Sequence, residues 1–114
     1  MGKYFKEESE VVEREIFEDI WKFRVLSSGE LARLTSKHYD KFTDEVDAVG
    51  YVEELIKESL VEVPETFRQE FLEVKGREWK GEIKDIQDMP APLYTKLGQI
   101  VNEIHSLEVK EKNS

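Results

Sequence analysis

The stretch "IWKFRVLSSGELARL", residues 20–34, changes periodicity in its middle. Trp21, Phe23 and Val25 alternate with Lys22 and Arg24, the period of two that a half-buried strand requires. A helix also satisfies the region just before it, because Ile16, Ile20 and Phe23, with Phe17, share one helical face. Periodicity alone leaves residues 16–23 open to both readings, and the punctuation favours the strand. Ser27 followed by Glu30 is a capping box: the hydroxyl accepts an early amide N–H and the carboxylate reaches back to the cap's own amide. A helix is therefore expected to start at about Ser28 and run through "GELARLTSKHYDKF", with Leu31, Leu34 and then His38 or Tyr39 inward.

Downstream, Thr43 followed by Asp44, Glu45 and Asp47 suits a second helix start, since acids complement the positive end of a helix dipole. Val46, Val49, Val52, Leu55, Ile56 and Leu60 recur at helical spacing, and Pro64 ends that element. Gly50 inside it costs about 1 kcal/mol relative to Ala and would permit a close helix crossing. "TFRQEFLEV" fits a short helix or an edge strand, Gly76 and Gly81 mark turns, and Trp79, Ile83, Ile86 and Met89 suggest another helical turn or two. After "MPAP", the residues Leu93, Leu97, Ile100, Val101, Ile104 and Leu107 trace one apolar helical face, with Pro92 suited to its first turn.

The expected fold is α+β and predominantly helical, with about four helices and a small sheet using a strand near residues 20–26 and part of 60–74. Residues 1–15 read as a charged N-terminal arm, 16–107 as a single globular domain and 108–114 as a polar C-terminal tail. The expected core is Trp21, Phe23, Val25, Leu31, Leu34, Val49, Val52, Leu55, Ile56, Trp79, Leu97, Ile100, Val101 and Ile104.

Charge narrows the function. The chain has 114 residues, 38% charged and 39% hydrophobic, and a formal net charge of −9. A duplex reader draws its affinity from cations that neutralise phosphates, so nucleic acid is disfavoured as a partner. Anionic membrane surfaces are disfavoured for the same reason, and no apolar run reaches the ~20 residues of a membrane span. With no cysteine, disulfides, zinc-thiolate sites and thiol nucleophiles are excluded. The opening "MGKYFKEESE" carries neither a secretory h-region nor a myristoylation pattern.

Catalytic patterns are missing. There is no glycine-rich phosphate loop and no G-x-S-x-G. His38 and His105 are the two imidazoles available as bases. His38 and Asp40 diverge on a helix, while His105 and Glu108 could share a metal but supply only two ligands. No enzyme activity, cofactor or metal is expected.

Two family patterns compete. "SSGELARLT", with "YVEELIKESLVEV" leading into "FLEV", resembles a winged helix–turn–helix. Its recognition helix, 44–58, would meet phosphates with Asp44, Glu45, Asp47, Glu53, Glu54 and Glu58 against Lys57, so such a regulator would work through protein contacts. An acidic mimic of nucleic acid is a third reading. The fuller resemblance is to the bacteriophage tail assembly chaperones. It runs from "WKFRVL" into "SSGEL", through "YVEELIKESLVEVPE", to "IKDIQDMPAPLYTKLGQIVNEIHSL", over about residues 16–107. That resemblance implies a non-enzymatic protein of the host cytoplasm, absent from the mature virion, that binds tape-measure and tail-tube proteins and self-associates. It also implies a longer frameshifted form, for which "EVKEKNS" would suit the junction. Tyr39, Phe42, Phe67, Phe71 and Tyr94 are the candidate partner-binding residues. A strand at 20–26 fits the chaperone; a helix across 7–24 with a wing fits the regulator.

Overall fold

The computed structural model describes residues 11–105. The first ten residues of the expected arm and the whole of the expected tail lie outside them. Two strands, β1 (Val12–Ile16) and β2 (Asp19–Phe23), form an antiparallel hairpin with Val12 opposite Phe23 and Ile16 opposite Asp19. The opening stretch is thus a strand that hands the chain to a helix. Ser27 caps α1 (Ser28–Lys37) in a complete box: Glu30 N–H donates to Ser27 Oγ at 3.2 Å, and Ser27 N–H to Glu30 Oε1 at 3.0 Å. A small hairpin of two-residue strands, β3 (Tyr39–Asp40) with β4 (Glu45–Val46), precedes α2 (Ala48–Ser59). β5 (Leu60–Glu62) then completes a three-stranded sheet of order β1-β2-β5. α3 (Glu65–Lys75), α4 (Ile83–Gln87) and α5 (Ala91–Ile104) follow. The fold is α+β and predominantly helical, with five helices among the described residues.

The sheet's inner face and α5 enclose the core. Phe23, Leu55, Ile56, Ile86, Leu97 and Val101 are almost fully buried, with Trp21, Leu34, Trp79, Ile100 and Ile104 around them. α2 is the central helix, packed on α1, α4, α5 and β5. A Cβ on Gly98 would stand 3.4 Å from Val52 Cγ1, so α5 approaches α2 closely at that point. His105 joins the end of α5 to the β2–α1 link: its Nε2 accepts the Leu26 N–H at 2.8 Å, and its Nδ1 donates to the Val101 carbonyl at 2.6 Å. That pattern selects the tautomer with its proton on Nδ1.

Several expectations are corrected. Residues 12–15 belong to the sheet, where Val12, Arg14 and Ile16 alternate with the exposed Glu13 and Glu15. Lys22 on β2 holds the carboxylates of Glu13 and Glu62 on either side, at 3.9 and 3.3 Å. α1 stops at Lys37, and α2 begins at Ala48 rather than after Thr43. Short polar side chains divert the backbone between them: Asp40 accepts the Phe42 N–H, Asp44 sits at φ 60°, and Asp47 caps α2 by accepting the Gly50 N–H. Val49, in that first turn, is 65% exposed and not core. Gly50 makes room for the His38 ring, 2.8 Å from an added Cβ, rather than for a helix crossing. Residues 65–75 are a helix, the first of the two readings that "TFRQEFLEV" left open. Val25, Leu31 and Val52 are partly buried, while Ile16, Leu26, Val63, Phe71, Met89 and Leu93 join the core.

Candidate functional site

Four aromatic rings from three parts of the chain converge beside the sheet. α3 carries Phe67 and Phe71 one helical turn apart, which puts them on one face. Their centroids lie 6.0 Å apart, and Phe67 stands 5.0 Å from Trp21 of β2 and 5.0 Å from Trp79. Phe71 meets Trp79 edge-on at 5.3 Å. Such tilted and edge-on pairs are the favoured ring arrangements. Trp79 is held in place by a buried carboxylate a few residues on. Asp85, 1% exposed, accepts the backbone N–H groups of Lys80 at 3.0 Å and Glu82 at 3.2 Å. It also accepts Arg77 at 2.9 Å, while the same guanidinium reaches Asp88 at 2.8 Å. Burial alone would raise the Asp85 pKa, but these donors outweigh it and the carboxyl stays below its ordinary value.

Trp21, Phe67, Phe71, Met89 and Leu93 form the apolar wall of an open groove of about 800 Å³. Asp19, Glu70, Asp88 and Lys75 stand on its rim, three acids against one lysine. Asp19 and Asp88 are braced by Thr66 and Arg77 respectively. Phe17 stands at the mouth, 67% exposed, on the β1–β2 turn. Phe17 and Glu18 both have positive φ, 51° and 72°. A two-residue hairpin loop of that type favours Asn-Gly, because a Cβ in the left-handed region costs about 1–2 kcal/mol per residue. The chain therefore keeps a strained, solvent-facing phenyl beside an aromatic groove, where backbone strain tends to accompany function.

The candidate residues separate into distinct places. Phe67 and Phe71 line the groove, but Phe71 is 5% exposed and offers only an edge. Tyr39 and Phe42 sit on the β3–β4 hairpin, where Phe42 is 90% exposed. The Tyr39 phenol donates to Asp44, which holds the phenol's pKa above its ordinary value. Tyr94 is half-buried against the core, and burial, then the nearby Glu53 carboxylate, raises its pKa. Residue-by-residue reading missed Phe17, Met89 and Leu93 as groove residues. An aromatic in a two-residue link between alternating segments is the signal that could have found Phe17.

The histidines serve the scaffold. His38 meets Glu54 at 3.1 Å, and Lys37 meets the same carboxylate at 2.6 Å. Lys37 first, and His38 after the opposing effect of burial, hold the Glu54 pKa below its ordinary value. His105 is engaged at both ring nitrogens, and Glu108 lies outside the described residues. Among the described residues, no group of three or more His, Asp or Glu could hold a metal ion. No helix among them is long and apolar enough to cross a membrane. Searches against protein-family models, curated proteins and solved structures found no match to this chain.

Proposed function

We propose that this chain is a tail assembly chaperone: a non-enzymatic cytoplasmic protein that sheathes apolar helical segments of a tape-measure protein and engages tail-tube protein before assembly. The observation that carries the reading is the open aromatic groove with Phe17 held at its mouth on a strained turn. A long helical polypeptide with bare apolar faces aggregates. A small body that covers one face of such a helix and carries a net charge of −9 keeps the complex dispersed by repulsion between copies. Many copies along one polypeptide, aided by self-association, gain from effective concentration. The strands at residues 12–23 support this reading over the winged-helix regulator, which called for a helix across 7–24.

Co-expression with a tape-measure fragment tests the proposal. The wild-type chain should keep the fragment soluble and co-purify with it. Phe17→Asp, an exposed change, should abolish both effects while leaving the thermal unfolding of the free protein cooperative. A fragment that pellets equally with and without the wild-type chain removes the basis of the reading.

A further inference from the structure

A second cleft, of about 640 Å³, runs along the other edge of the sheet. Leu60, Val61, Glu62 and Val63, the whole of β5 and the residue after it, form one side. Among the described residues β5 pairs with β2 alone, so no described strand lies beside its outer edge. Among the described residues, no backbone hydrogen bond outside helices and strands uses Val61, Glu62 or Val63. The facing wall is the segment Trp79–Gly81, fixed by the Lys80 N–H bond to Asp85 and turned by Gly81 at φ 72°.

The charge of this cleft opposes that of the molecule. Lys57, Arg68 and Lys80 line it against one carboxylate, Glu62. Glu62 is engaged by Lys22 at 3.3 Å, and Lys57 by Glu58 at 3.3 Å. Arg68 and Lys80 have no ion pair among the described residues, although the chain carries 26 acids to 17 lysines and arginines. The same cleft is lined by Val63, Trp79 and Ile86, which are buried and apolar.

We propose that this cleft binds an extended acidic peptide of another protein, which adds to β5 as a fourth strand. A free sheet edge supplies backbone donors and acceptors, and the flanking surface selects side chains. Side chains of an added strand alternate in direction, so acids on one face meet Arg68 and Lys80 while apolar residues on the other meet Val63 and Trp79. The net charge of −9 does not forbid this. Exposed charges beyond about 8 Å are screened at physiological salt, and the cations lining the cleft dominate at contact. The site is separate from the groove of the proposed function and does not depend on it.

The probe is a fluorescein-labelled hexapeptide of alternating valine and glutamate, titrated by anisotropy into the full chain. It should bind and slow amide exchange at Val61 or Val63. Arg68→Glu with Lys80→Glu, both on exposed side chains, should weaken binding about tenfold or more, and should favour the lysine counterpart of the peptide instead. Methylating the peptide amides on one of the two alternate sets should abolish binding, because those N–H groups complete the ladder. The proposal is overturned if the acidic peptide fails to bind the wild type, if both methylated peptides bind undiminished, or if the double variant binds it equally. Self-association of the wild type that the double variant lacks would also overturn it, by giving the edge to a second copy. Far-ultraviolet circular dichroism of the double variant confirms that it remains folded.

Discussion

The aromatic groove and the β5 cleft lie on adjacent parts of the molecule, and Trp79 stands between them: it meets the groove residues Phe67 and Phe71 edge-on and itself lines the cleft. They are built by different means. The groove is a matter of side-chain size, set by aromatic residues one helical turn apart on α3 and by a strained turn on β1–β2. The cleft is a matter of backbone: a strand edge unpaired among the described residues and a pinned loop, with two cations, Arg68 and Lys80, that have no ion pair among those residues. One surface suits a regular helix whose own backbone is satisfied; the other suits a strand whose backbone is not. A surface's preferred partner thus follows from which groups it leaves unsatisfied.

The largest expected effect comes from the carboxylate between them. Asp85→Ala should destabilise the chain by about 3–5 kcal/mol in denaturant titration, since Arg77 and two backbone N–H groups lose their shared acceptor. Both surfaces should weaken together, because Trp79 and Lys80 lose their anchor. A drop below about 1 kcal/mol would mean that the Trp79 segment is held by ring packing alone. Phe71→Ala comes next, at about 3 kcal/mol, the cost of an emptied aromatic site. It should impair the groove directly and reach the β5 edge only through Trp79, so the hexapeptide affinity should fall less than it does in Asp85→Ala.

A smaller change sharpens the contrast in the opposite direction. Replacing Phe17 and Glu18 by Asn and Gly should stabilise the hairpin by about 1–2 kcal/mol in thermal unfolding while removing the phenyl from the groove mouth. Greater stability with lost chaperone activity would identify the turn as strained for function; unchanged activity would reduce Phe17 to an incidental surface residue.

The smallest effect concerns acid. Arg24 first, then the Ser27 N–H, hold the Glu30 carboxyl at about 2, below its ordinary 4.5. A depressed carboxyl contributes stability above its unfolded value and loses it as pH falls through the folded one. Stability should therefore decline between pH 4.5 and about 2, and Glu30→Gln should flatten that limb. Because the Glu30 side chain is 32% exposed, the contribution is discounted to below about 1 kcal/mol.

The strand-to-helix switch, the capping box and α5 were legible because each is local: alternation, a Ser-to-Glu spacing and an apolar helical stripe. β1 was not read: the alternation of "VEREI" is present, but its charge density made residues 1–15 look like an arm, and the role of those charges follows only from Lys22 standing between Glu13 and Glu62. The β3–β4 hairpin was hidden for a different reason. Its acids look like a helix start, and only the Asx bond at Asp40 and the left-handed Asp44 turn the chain back. The site was half legible. Phe67 and Phe71 were singled out, but their partners Trp21 and Trp79 lie too far away in sequence for spacing to join them. The β5 edge could not be read at all, since which strand lacks a neighbour is a property of topology.

The bond from His105 to Leu26 spans 79 residues and ties the last described helix to the first strand–helix link. Translation delivers those two ends at different times. While α5 is still unmade, Phe23, Leu55 and Ile56 emerge without the helix that covers them, and exposed apolar surface in partly folded chains promotes aggregation. Until α5 is made, a chain proposed to cover another protein's apolar surface leaves its own uncovered.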